Sequence, residues 1–236
     1  MNKRLFTLIE LLVTVAIIGM LASLLLPALS TAKSLSRQIS CQNKMRQIYL
    51  VTNMYSNDFN DYWIPLHENQ AADDAAHGWG WTLYRFDYLK NTSVLLCPDV
   101  PNSWEYSRDF ITNPASSLSF LWVSYGYNAH GLGSSYFKYG TRFSPPTQRS
   151  KITNPSRIAA FADSIYVYSA IPRGIYYFIL NPDNLEAQVH SRHNKSANII
   201  FSDGHASSMK NARYKIEAAT VEGGVWGYRY MNPYIN

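Results

Sequence analysis

His190, His193, Asp203 and His205 crowd one short stretch near the end of the chain, with Asn198 between them and Asp163 upstream in Phe161-Ala-Asp163-Ser. His193 is followed by nine residues and then Asp203-Gly204. Imidazoles and carboxylates at such spacing could ligate a metal, which needs three or more donors converging at about 2 Å. The candidate set is His193, Asp203 and His205, with Asp163 as a further donor. The simpler expectation is structural: a buried His193–Asp203 hydrogen bond fixes the loop before a strand, and Asp203 also caps a turn at Gly204. Acid–base catalysis centred on His193 and Asp203 is the weakest reading, because no nucleophile with a matched base accompanies them. The expectation is a non-enzyme with no catalytic residue and no cofactor beyond a bound metal ion as an open option. No acidic cluster is dense enough to point to calcium.

Two further groups carry chemistry. Cys41 and Cys97 are the two cysteines; in an exported domain an even pair points to one disulfide, and the alternative is two buried free thiols. A Cys41–Cys97 bond would close a loop of about 56 residues and stabilise by roughly 2–4 kcal/mol. Trp79, Trp81, Tyr125, Tyr127, Tyr136 and Tyr139 could stack on sugar rings, although such residues more often fill a β-rich core and its rim.

The elements that position these groups begin with an almost entirely apolar run from Phe6 to Leu29, interrupted by one acid, Glu10, near its start and preceded by Lys3 and Arg4. As a helix it extends roughly 36 Å, enough to cross a hydrocarbon core of about 30 Å. The run is too long for a cleaved secretory signal, so a retained anchor is expected. Lys3 and Arg4 place the amino terminus in the cytoplasm, and Lys33 and Arg37 add basic charge on the far flank, near lipid headgroups. A carboxylate in such a segment costs about 2–3 kcal/mol at the bilayer centre, so Glu10 has a role.

Cys41, Met45, Ile48, Thr52, Tyr55 and Phe59 follow at spacings of three and four, one stripe of an amphipathic helix. One helix from about 6 to 57 is predicted, kinked at Pro27 and ended by Asn57-Asp-Phe-Asn-Asp61. Beyond it, Trp79–Tyr84 reads as a short helix or strand, Val94–Cys97 as a buried strand stopped by Pro98, and Trp122–Asn128 as a strand entering a Gly-rich loop. Loop is expected over 136–146. Arg157–Asp163 and Asn198–Phe201 read as strands, 198–209 as a hairpin turning at Gly204-His205, and 214–219 as a short helix or strand. The net charge of +5 comes without a basic-aromatic run, which argues against nucleic acid as a partner.

Phe6-Thr-Leu-Ile-Glu10 and the apolar run with Pro27 near its end resemble the amino-terminal segment of type IV pilins and type II secretion pseudopilins. In that family a prepilin peptidase cuts before the Phe and methylates the new amino terminus, and the Glu pairs with a neighbouring subunit's terminus. The matching positions are Phe6 and Glu10; where the family has Gly before the cut, this chain has Leu5. The His193-x9-Asp203-Gly204 spacing resembles a prepilin-like family with an H-x9-DG domain, and Asp163 resembles a recurrent acid of those proteins.

The resemblance implies a leader (1–5), a membrane helix (6–29), its amphipathic continuation (30–58) and a periplasmic α+β domain (59–236) with the H-x9-DG region at 193–204. The fold expected is a long helix packed on an antiparallel sheet with long loops. The function implied is a structural subunit assembling through its helix in the inner membrane, its domain periplasmic or displayed at the cell surface. Its partners would be other pilin-like subunits, prepilin peptidase and membrane lipid. A membrane-tethered polysaccharide-binding module is the alternative.

Overall fold

A computed structural model of the chain describes residues 7–66, 78–100, 117–128, 131–133, 146–166, 174–175, 177–178 and 187–210. Two compact units are present, Met1–Arg37 and Gln38–Asn236. Helix α1 runs from Leu8 to Asp58 and contains Pro27. Thr7 and Glu10 close its start reciprocally: the Glu10 N–H donates to Thr7 Oγ1 (3.3 Å), and the Thr7 N–H donates to Glu10 Oε2 (2.8 Å). This is a capping box, Thr-x-x-Glu, which satisfies two backbone donors that the first turn leaves without partners.

Within the first unit the apolar residues face outward, from Leu8 (79% exposed) to Leu29 (66%). The helix is long and apolar enough to cross a membrane. In the second unit the stripe Cys41, Met45, Ile48, Thr52 and Tyr55 is buried, as its spacing predicts. Phe59 lies one residue past the helix, half exposed, and stacks on Tyr55 at 4.2 Å. The helix ends where Asn60 (φ 51°) and Asp61 (φ 66°) turn left-handed. Arg149 locks that turn with its whole guanidinium, Nε on Asp61 Oδ1 (2.7 Å) and the two terminal nitrogens on Asn53 (2.9 Å) and Asn57 (2.6 Å).

Among the described residues six strands make one sheet: β1 Tyr125–Asn128, β2 Ala159–Tyr166, β3 Tyr177–Phe178, β4 Ala187–Val189, β5 Ser196–Phe201 and β6 Ala206–Lys210, in order β3-β1-β2-β5-β6 with β4 beside the end of β2. The α+β expectation holds. One detail differs: β1 and β3 run parallel, so the sheet is mixed rather than purely antiparallel. The predicted hairpin is β5–β6, with Ile199 opposite Ser207.

β2 and β5 are buried on both faces. Alternation sends Phe161, Ile200, Tyr125 and Tyr127 into a core with Met45, Ile48, Trp63 and Trp79, while Ala162, Ile199, Phe178 and Val189 form a second cluster. Trp79, Tyr125 and Tyr127 are fully buried, and Trp81 packs edge-on against Phe120. The faces of Trp79, Tyr125 and Tyr127 are therefore spent on the core, the commoner of the two expectations for these rings, while Trp81 is partly buried; Tyr136 and Tyr139 lie outside the described residues.

Trp79–Arg85 forms a second helix, α2. Val94–Cys97 is not a strand. Asn91 accepts the Ser93 N–H at 3.1 Å and starts a 3₁₀ turn over Thr92–Leu95, and Lys44 of α1 donates to the carbonyls of Ser93 and Leu96. Carbonyls tied to a helix side chain are not available to a strand ladder. The segments 136–145 and 214–219 lie outside the described residues.

Candidate functional site

His193 reaches the core through a turn. His193 and Ser196 exchange both backbone hydrogen bonds (3.0 and 2.9 Å), while Asn194 (φ 48°) and Lys195 (φ 64°) are left-handed. Two central residues at positive φ make a type I′ hairpin turn, whose twist matches that of the strands it joins. The imidazole is thereby fixed at the end of β5, fully buried. Its Nδ1 lies 2.7 Å from Asp99 Oδ2, and its Nε2 faces Cys97 Sγ at 3.5 Å and Asp163 Oδ2 at 3.4 Å.

Each neighbour arrives from a different segment. Cys41 is carried by the buried stripe of α1. Cys97 and Asp99 follow the 3₁₀ turn, which Lys44 and a Ser124 N–H to Leu95 carbonyl bond (3.0 Å) hold down. Asp163 shares the face of Phe161 on β2 by alternation. Its Oδ2 accepts the Asn198 N–H at 2.7 Å. Its Oδ1, completely buried, has no hydrogen-bond partner and stands 3.7 Å from the Arg192 Nε. Arg192 donates to the Ser164 carbonyl. The Tyr125 hydroxyl is also buried, against the two thiols, and interacts with Cys41.

Cys41 and Cys97 are free thiols in the structure, not a disulfide. The sequence expectation does meet in space, because the two sulfurs and a His193 nitrogen all lie within 4.8 Å of one another. Burial works to raise the Cys97 thiol, but the hydrogen bond from Cys41 and the His193 ring outweigh it and pull it down to about 5. Cys41 moves the other way, raised by its hydrogen bond to Cys97 and by burial. Burial works to lower His193, yet Asp163 and Cys97 hold its proton and raise it to about 10. His190 is lowered to about 4 by burial, with the nearby Arg192 adding to the effect. The cluster thus concentrates negative charge around one imidazole nitrogen.

The other predicted residues sort differently. His193 does not pair with Asp203. Asp203 and His205 sit on the exposed β5–β6 turn, where Asp203 Oδ1 accepts from His205 N (3.0 Å) and meets His205 Nδ1 (2.6 Å). The set His193, Asp203 and His205 is therefore not brought together as a metal site. Burial is the reason: the His193 side chain is 0% exposed, against 34% and 44% for Asp203 and His205. Gly204 has a distinct cause. Its φ is +91°, and a Cβ there would fall 2.6 Å from the Tyr49 ring. Tyr49 in turn donates to the Ser202 carbonyl at 3.0 Å, so the Asp-Gly turn is seated directly on α1.

Glu10 belongs to the capping box described above, and Leu5 and Phe6 lie outside the described residues. Asp99 escaped the sequence reading; its signal was its place two residues after Cys97, in Cys97-Pro98-Asp99. Comparison with protein-family models, with curated proteins and with solved structures finds no match for this chain.

Proposed function

We propose that the chain is a pilin-like structural subunit, anchored by the first half of α1 and assembling through it in a type II secretion or type IV pilus-like system. The observation that supports this reading is the contrast along α1. Residues from Cys41 to Ser56 bury a stripe in the chain's own core, whereas none of the membrane-length apolar segment is buried. A helix of that kind needs an apolar surrounding from outside the chain, either lipid or copies of itself. The resemblance of Phe6–Glu10 to pilin amino termini adds the assembly step. On this reading the domain faces the periplasm, and the buried cluster is part of its framework rather than a catalytic centre.

The test is intact-mass measurement on the chain extracted from native membranes, combined with sedimentation of assembled material. A subunit loses Met1–Leu5, carries a methylated Phe6 and pellets in a form that contains many copies. An uncut chain that stays monomeric in the membrane fraction overturns assembly. A freely soluble chain trimmed beyond Pro27 overturns the anchor as well.

A further inference from the structure

We propose that Cys41, Cys97 and His193 form a buried site for a zinc-class divalent metal ion, with Asp99 orienting the histidine from behind.

The geometry carries this. Zinc holds thiolate sulfur at about 2.3 Å, imidazole nitrogen at about 2.0–2.1 Å and carboxylate oxygen at about 2.0–2.2 Å. At tetrahedral angles those bonds put sulfur and nitrogen about 3.6 Å apart, and nitrogen and oxygen about 3.4 Å apart. Cys97 Sγ stands 3.5 Å from His193 Nε2, and Asp163 Oδ2 stands 3.4 Å from the same atom. Cys41 falls within 4.8 Å of both Cys97 and His193. The sulfur–nitrogen edge at Nε2 matches shared ligation. The nitrogen–oxygen edge is long for a charge-assisted hydrogen bond, which closes to about 2.7–2.9 Å.

The surroundings agree. A ligating histidine donates its other ring N–H to a carboxylate, which fixes the tautomer and turns the lone pair inward. Asp99 Oδ2 at 2.7 Å from Nδ1 has that position. Asp163 Oδ1, on the carboxylate beside the histidine, is buried without a hydrogen-bond partner. One sulfur from α1, one from the 3₁₀ loop and an imidazole from the hairpin turn would then be tied at one point. Two sulfurs and one nitrogen favour zinc over magnesium or calcium, which take oxygen ligands.

The test uses the full chain in detergent. Zinc is measured by mass spectrometry after gel filtration, free thiols are counted by alkylation under denaturing conditions, and the chelator-treated chain is titrated with cobalt. The expected result is about one zinc per chain, two free thiols, and the intense visible absorption and thiolate charge-transfer band of tetrahedral cobalt. Asp99→Asn should weaken metal affinity by about 10–100-fold as a positioning change. Cys41→Ser should abolish the charge-transfer intensity of one thiolate, and His205→Ala on the exposed turn should leave binding unchanged. A native Cys41–Cys97 disulfide overturns the proposal. So do two free thiols that take up neither zinc nor cobalt. The wild-type titration decides the matter even where a cysteine variant fails to fold.

Discussion

Gly204→Ala should be among the most damaging single-methyl additions in this chain, and the structure says how the cost divides. The first part is backbone. Gly204 sits at φ +91°, where an L side chain costs roughly 1–2 kcal/mol. The second part is contact: the added Cβ would lie 2.6 Å from Tyr49 Cε1 and 3.0 Å from Cζ. The Tyr49 ring cannot simply move away, because its hydroxyl donates to the Ser202 carbonyl two residues before the glycine. Overpacking of this kind costs about 1–3 kcal/mol, so the total is about 2–5 kcal/mol.

A double-mutant cycle with Tyr49→Ala separates the two parts. Tyr49→Ala alone loses a hydrogen bond and ring packing. In its background Gly204→Ala should cost only the backbone part, so the double variant is more stable than the sum of the singles by about 1–3 kcal/mol. Urea unfolding of the full chain in detergent, followed by tryptophan fluorescence, measures all four corners. Strict additivity would refute the reasoning, because it would mean that Tyr49 does not lie over the turn and that α1 does not seat the Asp-Gly corner.

Two further outcomes follow from the clamp at the end of α1. Arg149→Ala should destabilise by about 1–3 kcal/mol, since three side-chain acceptors lose a charged donor. Arg149→Lys should recover less than half of that in the same unfolding assay, because an ammonium cannot reproduce the planar fork. Asp61 gives the pH dependence. The Ser150 N–H and, after it, Arg149 hold its carboxyl below the usual range. A depressed acid contributes stability above its unfolded value and loses it as pH falls through its folded value. Wild-type melting temperature should therefore drop on acidification below about pH 4, and Asp61→Asn, already destabilised at neutral pH, should show a shallower acid limb.

The long helix was legible because its signals are local. The apolar run and the stripe from Cys41 to Tyr55 repeat with helical spacing, and β5–β6 shows as Asn198-Ile-Ile-Phe201 with an Asp-Gly turn behind it. Val94–Cys97 misled for a physical reason. Its apolar residues are buried as a strand's would be, but Asn91 and Lys44 claim its backbone groups, and Lys44 lies far away in sequence. Trp79, Tyr125 and Tyr127 show nothing in sequence to separate a core ring from a displayed one; long-range packing decides it. His193 was found and its partner was not. The H-x9-DG spacing draws the eye to Asp203, which the β5–β6 turn keeps at the surface, whereas Asp99 and Asp163 reach His193 from the 3₁₀ loop and from β2. The Thr7-x-x-Glu10 capping box is a local signal as well, a Thr three residues before a Glu at the head of an apolar run.

That capping box sharpens the test of assembly. Fourteen large apolar residues between Leu8 and Leu29 stand exposed on the helix, and burying each is worth about 1.5–3 kcal/mol. Their sum exceeds the whole folding stability of an ordinary domain, about 5–15 kcal/mol, so the helix must leave water. Hydrophobicity does not choose where it goes, because lipid tails and sister helices are equally apolar. On the proposed reading Glu10 is the group that would choose, and two roles for it can be separated. As a cap it accepts the Thr7 N–H; as a register device it would offer its charge to a neighbour. Glu10→Gln keeps an oxygen to accept that N–H and removes the charge, whereas Glu10→Ala removes both, and loss of a cap costs about 0.5–2 kcal/mol. If charge drives assembly, Gln and Ala should abolish pelleting equally while both chains remain in the membrane fraction. If Gln assembles like the wild type and Ala alone fails, the acid is a cap and no more, and the assembly reading loses its polar register device.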